Sequence, residues 1–329
     1  MRGKARKEIL KEITKLVGRL GRSITIPPHP SIDAGAERLL GLTRIYACDP
    51  ALGVPLEDLG FFSFHFSASD VAVLGAEPKL MTSTILLPEG TDVELALRIA
   101  RDIDYEAYRY NVSIVTGHIG WYKAVKEPVV VTTVIGEVRN PITPTMARSG
   151  DILLLVGIPG AEFLYGVAHF KPDLIERIFG PHTVRRWKKT RWMLTAVDKA
   201  KDLAMFTKVN GMKDGAEGGL IRMLNDFADA SSLGFKIWRE RILFPPEILK
   251  LSDSLGFNPL AASSSGTVLA AIPKSAPLGF LRELIESHGF VTSIIGELVS
   301  DPESRNIVEG DSLREFPEDA EDPYIFLLE

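Results

Sequence analysis

The chain has 329 residues, of which 45% are apolar and 25% are charged, as is typical of globular proteins. A net charge of −5 gives no broad positive surface for nucleic acid, and no apolar run reaches the roughly 20 residues that span a bilayer. The single cysteine, Cys48, excludes an internal disulfide framework and a cysteine-based zinc site. We therefore expect a cytoplasmic protein, long enough for two domains, that binds neither nucleic acid nor membranes.

The first half of the chain alternates predicted strands and helices. A charged amphipathic helix near the start is followed by a Pro-rich loop at 24–35. A helix is predicted at 61–76, and the pattern Thr91-Asp92-Val93-Glu94 predicts a capped helix that ends near Arg109. The predicted strands are 42–50, 78–88, 111–117 and 127–138.

The segment PITPTMARSGD at 141–151 combines two prolines with polar residues and predicts a domain boundary. We therefore expect an N-terminal domain at 1–145 and a C-terminal domain at 146–329. The second domain is predicted to begin with the strand DILLLVGIPG and to continue with helices. Its last elements are predicted as a strand at 266–273, a helix at 277–288 and a strand at 290–299. The acidic tail EGDSLREFPEDAEDP, at 309–323, is expected to be extended and solvated.

Asp70 is the acidic residue of the predicted helix 61–76, whose other faces are apolar or small, within the segment FFSFHFSASDVAVLGAEP at 61–78. Burying an unpaired carboxylate costs several kcal/mol or more, so its place in such a helix indicates a nearby cation or hydrogen-bond donor. A cap on a short turn, or a pair with one arginine, explains it equally well from this segment alone.

Further aspartates follow predicted strands or lie in turns, namely Asp33, Asp49 and Asp214. Scattered carboxylate oxygens suit Mg²⁺, which a few carboxylates and substrate phosphates usually hold. The run GMKDGAEGG at 211–219 leads into a helix, so Gly215, Gly218 and Gly219 can offer N–H groups to an anion, with Lys213 adding positive charge. Ordinary turns have the same composition, and the spacing alone favours them.

His118 follows the apolar strand at 111–117 and is expected to enter a turn flanked by glycines. It is a candidate for proton transfer or for binding a phosphate. A loop histidine without a catalytic role is the simpler interpretation of this segment.

Taken in order, these motifs resemble those of the aminoimidazole ribonucleotide (AIR) synthetase, or PurM-like, superfamily. Its members include the hydrogenase-maturation carbamoyl dehydratase HypE, selenophosphate synthetase and thiamine-monophosphate kinase, and the motifs favour HypE-like and AIR synthase-related proteins. The matching segments are SIDAG at 31–35, ACDPALG at 47–53, SASDVAVLGAEP at 67–78, VTGHIG at 115–120, MKDGAEGGLIRMLNDFADAS at 212–231 and ASSSGTVLAAIP at 262–273.

The resemblance implies a two-domain α+β (α/β) fold in which the N-terminal domain joins that of a second copy in a dimeric β-barrel. It also implies ATP and Mg²⁺ as cofactors and a small-molecule acceptor as substrate. By similarity, Asp33, Asp49 and Asp70 would hold the metal. Asp70, His118 and Asp214 would act in catalysis, and the nucleotide-binding residues would be Lys213, Gly215, Gly218 and Gly219.

The chain departs from the superfamily's pattern at several positions. Ile32 stands where the pattern has the first of two aspartates, and Glu217 stands where the carbamoyl dehydratases have arginine. The sequence ends DPYIFLLE, without the terminal cysteine that carries the carbamoyl group in those enzymes, so we expect a different acceptor. We expect an ATP-dependent, Mg²⁺-requiring enzyme; the alternative is a non-catalytic or regulatory paralogue that acts through its dimer surface.

Overall fold

The computed structural model describes residue 5 and residues 7–328. It divides into two compact units. The N-terminal unit consists of Lys11–His29 and Asp33–Pro141, and the C-terminal unit consists of Pro30–Ile32, the residues from 142 onward and the described residues up to Leu10. Among the described residues, no helix has both the length and the apolar character needed to cross a membrane.

The N-terminal unit is a six-stranded sheet with helices on one face. Its elements follow the first helix, α1 (Lys7–Ile13), and are β1 (Ile24–Ile26), β2 (Gly35–Leu39), β3 (Leu42–Ala51), α2 (Leu59–Val73), β4 (Glu77–Pro88), α3 (Val93–Arg109), β5 (Ser113–Tyr122) and β6 (Val129–Val138). The strand order is β1-β2-β3-β6-β4-β5, and only the β4–β5 pair is parallel. Helix α2 packs on β3 and β6, and α3 packs on α2.

The two faces of this sheet differ in burial. Along β3 and β6 every second residue is buried, including Ile45, Val130 and Val134, because these side chains point toward α2. The alternate residues on the opposite face are only partly covered. The sheet of a single copy is open, since β1 and β5 are its edges, and every residue of β5 is at least partly exposed.

The C-terminal unit is a seven-stranded sheet with helices packed against it. Its strands are β7 (Ile152–Val156), β8 (Gly211–Asp214), β9 (Gly234–Trp238), β10 (Val268–Ile272), β11 (Thr292–Val299), β12 (Arg305–Glu309) and β13 (Ser312–Glu315), and its helices are α4 (Ala161–Phe170), α5 (Pro172–Phe179), α6 (Pro181–Lys188), α7 (Val197–Phe206), α8 (Gly219–Ser231), α9 (Pro246–Leu255) and α10 (Leu278–Ser287). The strand order is β13-β12-β9-β11-β7-β10-β8. Leu224 and Phe227 of α8 join Leu155, Phe235 and Phe316 in one buried cluster.

The structure corrects several sequence-based expectations. Helix α3 is capped by Asp92 rather than Thr91, since the Asp92 carboxylate accepts a hydrogen bond from the Glu94 N–H at 3.0 Å. The acidic tail is not solvated throughout, because it forms β13 and buries Phe316 and Asp322. The strands β1, β2, β8 and β9 were not predicted; they are short and lie in segments rich in glycine, proline or charged residues.

Candidate functional site

Asp70 and Asp33 form a close carboxylate pair in the N-terminal unit. Asp70 lies in the last turn of α2 and is 6% exposed; the N-cap of α2 is Asp58, so Asp70 does not cap this helix. One carboxylate oxygen of Asp70 and one of Asp33 lie within 4.8 Å of each other. Two unit negative charges at this distance repel by about 3 kcal/mol at an effective dielectric constant of ~20. The two carboxylates are therefore candidate ligands for a cation, which would offset this repulsion.

A chain of buried hydroxyl groups fixes α2 and Asp49 beneath this pair. Ser67 lies one turn before Asp70, and its Oγ accepts a hydrogen bond from the Asp49 N–H at 3.1 Å. The same Oγ lies 2.9 Å from the carbonyl oxygen of Thr132, to which it donates, while the Thr132 hydroxyl donates to the carbonyl oxygen of Ser63. Asp49 follows Ala47 on the face of β3 that α2 covers. The helix register, and with it Asp70, is set by β3 and β6.

His118 lies apart from these aspartates in the N-terminal unit. It is an exposed residue within β5, and its Nε2 lies 2.6 Å from the hydroxyl of Tyr122. The predicted turn at this position was wrong, because β5 continues through Gly117 and Gly120 and pairs with β4 along its length. Strands β4 and β6 lie between β5 and β3, which separates His118 from β3 by three strand spacings, or about 14 Å.

The predicted glycine-rich loop joins β8 to α8 in the C-terminal unit. Asp214 ends β8, next to the buried Lys213. A side chain on Gly215 would come within 2.6 Å of the Ser264 carbonyl oxygen. Gly218 and Gly219 have φ angles of +81° and +54°, a region that glycine adopts without steric cost. The N–H groups of these glycines donate within the unit, from Gly215 to the Thr267 carbonyl oxygen at 2.9 Å, from Gly219 to that of Ala216 at 3.1 Å and from Gly218 to Asp322 at 2.8 Å. The helix dipole at the start of α8 favours an anion.

Two buried carboxylates near this loop were not predicted. Asp322 of the tail accepts hydrogen bonds from the N–H groups of Gly218 at 2.8 Å and Tyr324 at 2.9 Å, and from the hydroxyl of Ser263. Burial raises the pKa of Asp322. Burial also raises the pKa of Glu162 to about 7, although the Ser265 N–H donates to it at 3.0 Å. This part of the C-terminal unit is rich in negative charge, and no local motif in the sequence indicates it.

Two family models match most of the chain. The one described as AIR synthase related protein, N-terminal domain, matches residues 43–138, and the one described as AIR synthase related protein, C-terminal domain, matches residues 148–309. A carbamoyl dehydratase HypE from Bradyrhizobium diazoefficiens is 26% identical over 285 residues, which are 82% of this chain and 77% of that protein.

Solved structures of two kinds share the fold. The hydrogenase maturation protein HypE in complex with ATP has a TM-score of 0.69 at 20% identity and covers 89% of this chain and 90% of its own. The protein AaThiL complexed with AMPPCP and TMP has a TM-score of 0.69 at 17% identity and covers 96% of this chain and 98% of its own. The predicted two-domain α+β architecture is confirmed.

Proposed function

This chain belongs to the AIR synthase related protein family, and we propose that it is an ATP-dependent, Mg²⁺-requiring enzyme. It would activate or phosphorylate a small-molecule acceptor. The observation that carries the proposal is the carboxylate pair of Asp33 and Asp70, of which Asp70 is buried. The proposal is supported by the nucleotides in related structures, where HypE is bound to ATP and AaThiL to AMPPCP.

The chemistry of the carboxylates fits Mg²⁺. This ion prefers oxygen ligands and is usually held by one or two protein carboxylates together with substrate phosphates. Asp33 and Asp70 would supply the ligands, with Asp49 beside α2 as a third, and Asp214 at the end of β8 would face the phosphates. When bound, the ion would neutralise charge on the transferred phosphoryl group.

The start of α8 would bind the nucleotide's phosphates. The loop of Gly215, Gly218 and Gly219 allows the backbone to approach an anion closely, since none of these residues carries a side chain. Lys213 precedes the loop, and its ammonium adds positive charge there. His118 would act in catalysis only if a ligand or a second copy of the chain brought the reacting groups close to β5.

Two substitutions favour the second candidate, a paralogue that binds nucleotide or no ligand and catalyses no reaction. Ile32 removes an oxygen ligand next to Asp33, and Glu217 places negative charge beside the glycine-rich loop. Both changes weaken the interactions that a Mg²⁺–phosphate complex needs. Binding and turnover therefore have to be measured separately.

Calorimetric titration and thermal denaturation with ATP and Mg²⁺ test binding. At 100 times the dissociation constant, a ligand stabilises the folded state by about 2.7 kcal/mol. We expect this stabilisation in the natural chain and in Asp104→Asn, a matched change on the exposed side of α3, and its loss in Asp70→Asn. Phosphate release in the presence of candidate acceptors then separates the enzyme from the paralogue. If ATP with Mg²⁺ does not stabilise the natural chain, both the metal site and the enzyme assignment are wrong.

We also propose that the chain forms a homodimer through β5 and the open face of the N-terminal sheet. Ile114, Val115 and Ile119 are between 42% and 54% exposed on this edge strand, and an unpaired, apolar strand edge favours association. Light scattering should give a dimer for the natural chain and for Val93→Lys, an exposed site on α3, and a monomer for Ile119→Lys. A monomeric natural chain at micromolar concentration would contradict the dimer.

A further inference from the structure

A cleft of about 500 Å³ lies in the C-terminal unit, between the end of α9 and the tail. Phe163, Leu255, Phe257 and Phe326 supply its apolar walls, and Glu321 and Asp322 are its acidic residues. Among the described residues that line the cleft there is no lysine or arginine. The volume lies within the range of about 300–1,000 Å³ that is usual for small-molecule sites.

Acidic groups outnumber cations at this cleft, since Glu321 and Asp322 line it and the ammonium of Lys171 lies over Phe326. Glu162 precedes Phe163 in α4 and is buried. The charges of Asp322 and Glu217 add to the effect of burial in raising its pKa. Each further negative charge placed here is disfavoured by the same repulsion, whereas a positive charge is attracted. The charge of the cleft therefore selects against phosphorylated or carboxylate ligands.

The aromatic walls are suited to a cation as well as to an apolar body. The rings of Phe163 and Phe257 meet edge to face, with centroids 5.1 Å apart. The ammonium of Lys171 already lies 5.3 Å from the centroid of the Phe326 ring. An ammonium over an aromatic face gains about 0.5–2 kcal/mol, depending on how far it is desolvated.

We propose that this cleft binds a small organic cation, an ammonium with an apolar body. We further assign this cation as the acceptor of the enzyme, an assignment that rests on the proposed function. The link is Asp322, which lies in the wall of the cleft and accepts the hydrogen bond from Gly218 at the start of α8. A ligand in the cleft is thus next to the loop to which we assign the nucleotide's phosphates.

A series of probes with a common benzyl body tests the inference. Benzyltrimethylammonium, benzyl alcohol and phenylacetate carry positive, zero and negative charge, and their binding can be measured by NMR titration without nucleotide. We expect the cation to bind at least tenfold more tightly than the alcohol, and phenylacetate not to bind. Equal affinities, preference for phenylacetate, or no binding of the cation up to 10 mM would overturn the proposal.

Matched variants locate the binding. Phe257→Leu keeps an apolar wall but removes an aromatic face, so we expect cation affinity to fall about three- to tenfold while that of benzyl alcohol changes less than twofold. Glu321→Gln, a mild change at an exposed position, should also weaken only the cation. Phe280→Leu on the exposed side of α10 is the control and should change neither affinity. Wild-type affinity in both cleft variants would refute the site.

The two proposals fail in different ways. Because the probes are titrated without nucleotide, absence of ATP binding would refute the proposed enzyme and leave a measured cation site intact. Conversely, ATP turnover together with no cation binding would refute the cleft assignment alone.

Discussion

Gly219→Ala should be much more destabilising than a glycine substitution that changes only backbone strain. Gly219 has a φ of +54°, and an added Cβ would come within 2.6 Å of the Leu260 carbonyl oxygen and would also overlap that of Ala262. The left-handed conformation costs a non-glycine residue about 1–2 kcal/mol, and overpacking against fixed backbone adds about 1–3 kcal/mol. We therefore expect a loss of about 2–5 kcal/mol in the free energy of unfolding.

Gly289→Ala supplies the matched control in the same unit. Gly289 has a φ of +84° with open space around the added Cβ, so only the backbone cost of about 1–2 kcal/mol applies. Urea denaturation of the natural chain and both variants measures the difference. If Gly219→Ala is no less stable than Gly289→Ala, the close approach of this loop to the Leu260–Ala262 backbone is not a constraint, and the requirement for glycine at the start of α8 is refuted.

Three further changes test other parts of the structure. The pKa of Glu162 is raised from 4.5 to about 7 in the folded state, so its contribution to stability is fully present below about pH 4.5 and is lost as the pH rises through about 7. The loss is roughly 3 kcal/mol. Denaturation between pH 4.5 and 8 should show this loss in the natural chain and not in Glu162→Gln. Ser67→Ala leaves the Asp49 N–H without its partner and should cost about 1–3 kcal/mol, whereas Ser254→Ala on the exposed part of α9 should cost much less in the same thermal melts. Phe316→Ala should lower the free energy of unfolding by about 3–5 kcal/mol, because Phe316 is buried against Phe235. The control is Leu313→Ala, at an exposed site. Equal stability of the two variants would mean that the tail is solvated.

The fold was predictable where local pattern and tertiary environment agree. The strands β3, β4 and β6 are long, β6 is rich in β-branched residues, and their alternating burial matches a sheet covered on one face. The strand β8 was missed because Gly211–Asp214 has the composition of a turn. Its strand conformation depends on pairing with β10, a partner more than 50 residues away, which no local pattern contains.

The acidic tail is a second segment whose structure could not be predicted from its local composition. Its charge predicts solvation, yet Phe316 within it is buried against Phe235 of the C-terminal unit. Asp322 then reaches Gly218, which is 104 residues away in the chain. The contact exists because the tail is folded, and so the carboxylates at the glycine-rich loop could not be inferred from the residues around 215.

The sequence identified two carboxylates that lie close together, but not the arrangement of the other candidate residues. Asp33 and Asp70 were identified by the order of motifs, and the structure brings them together. His118 was misplaced because glycines on both sides suggested a turn, whereas an edge strand tolerates glycine when one neighbouring strand supplies its hydrogen bonds. The glycines beside His118 were therefore a weaker guide to the backbone conformation at this position than the pairing of its strand.

The proposed function makes nucleotide binding depend on the metal ion. Under that proposal, the carboxylates of the N-terminal unit would hold Mg²⁺, and the metal would neutralise charge on the nucleotide's phosphates. ATP without Mg²⁺ would bring its negative charge to carboxylates with no metal ion between them. We therefore expect the affinity for ATP to fall at least tenfold when EDTA removes the metal. An affinity that is independent of Mg²⁺ in calorimetry would show that the carboxylates are not part of the nucleotide site.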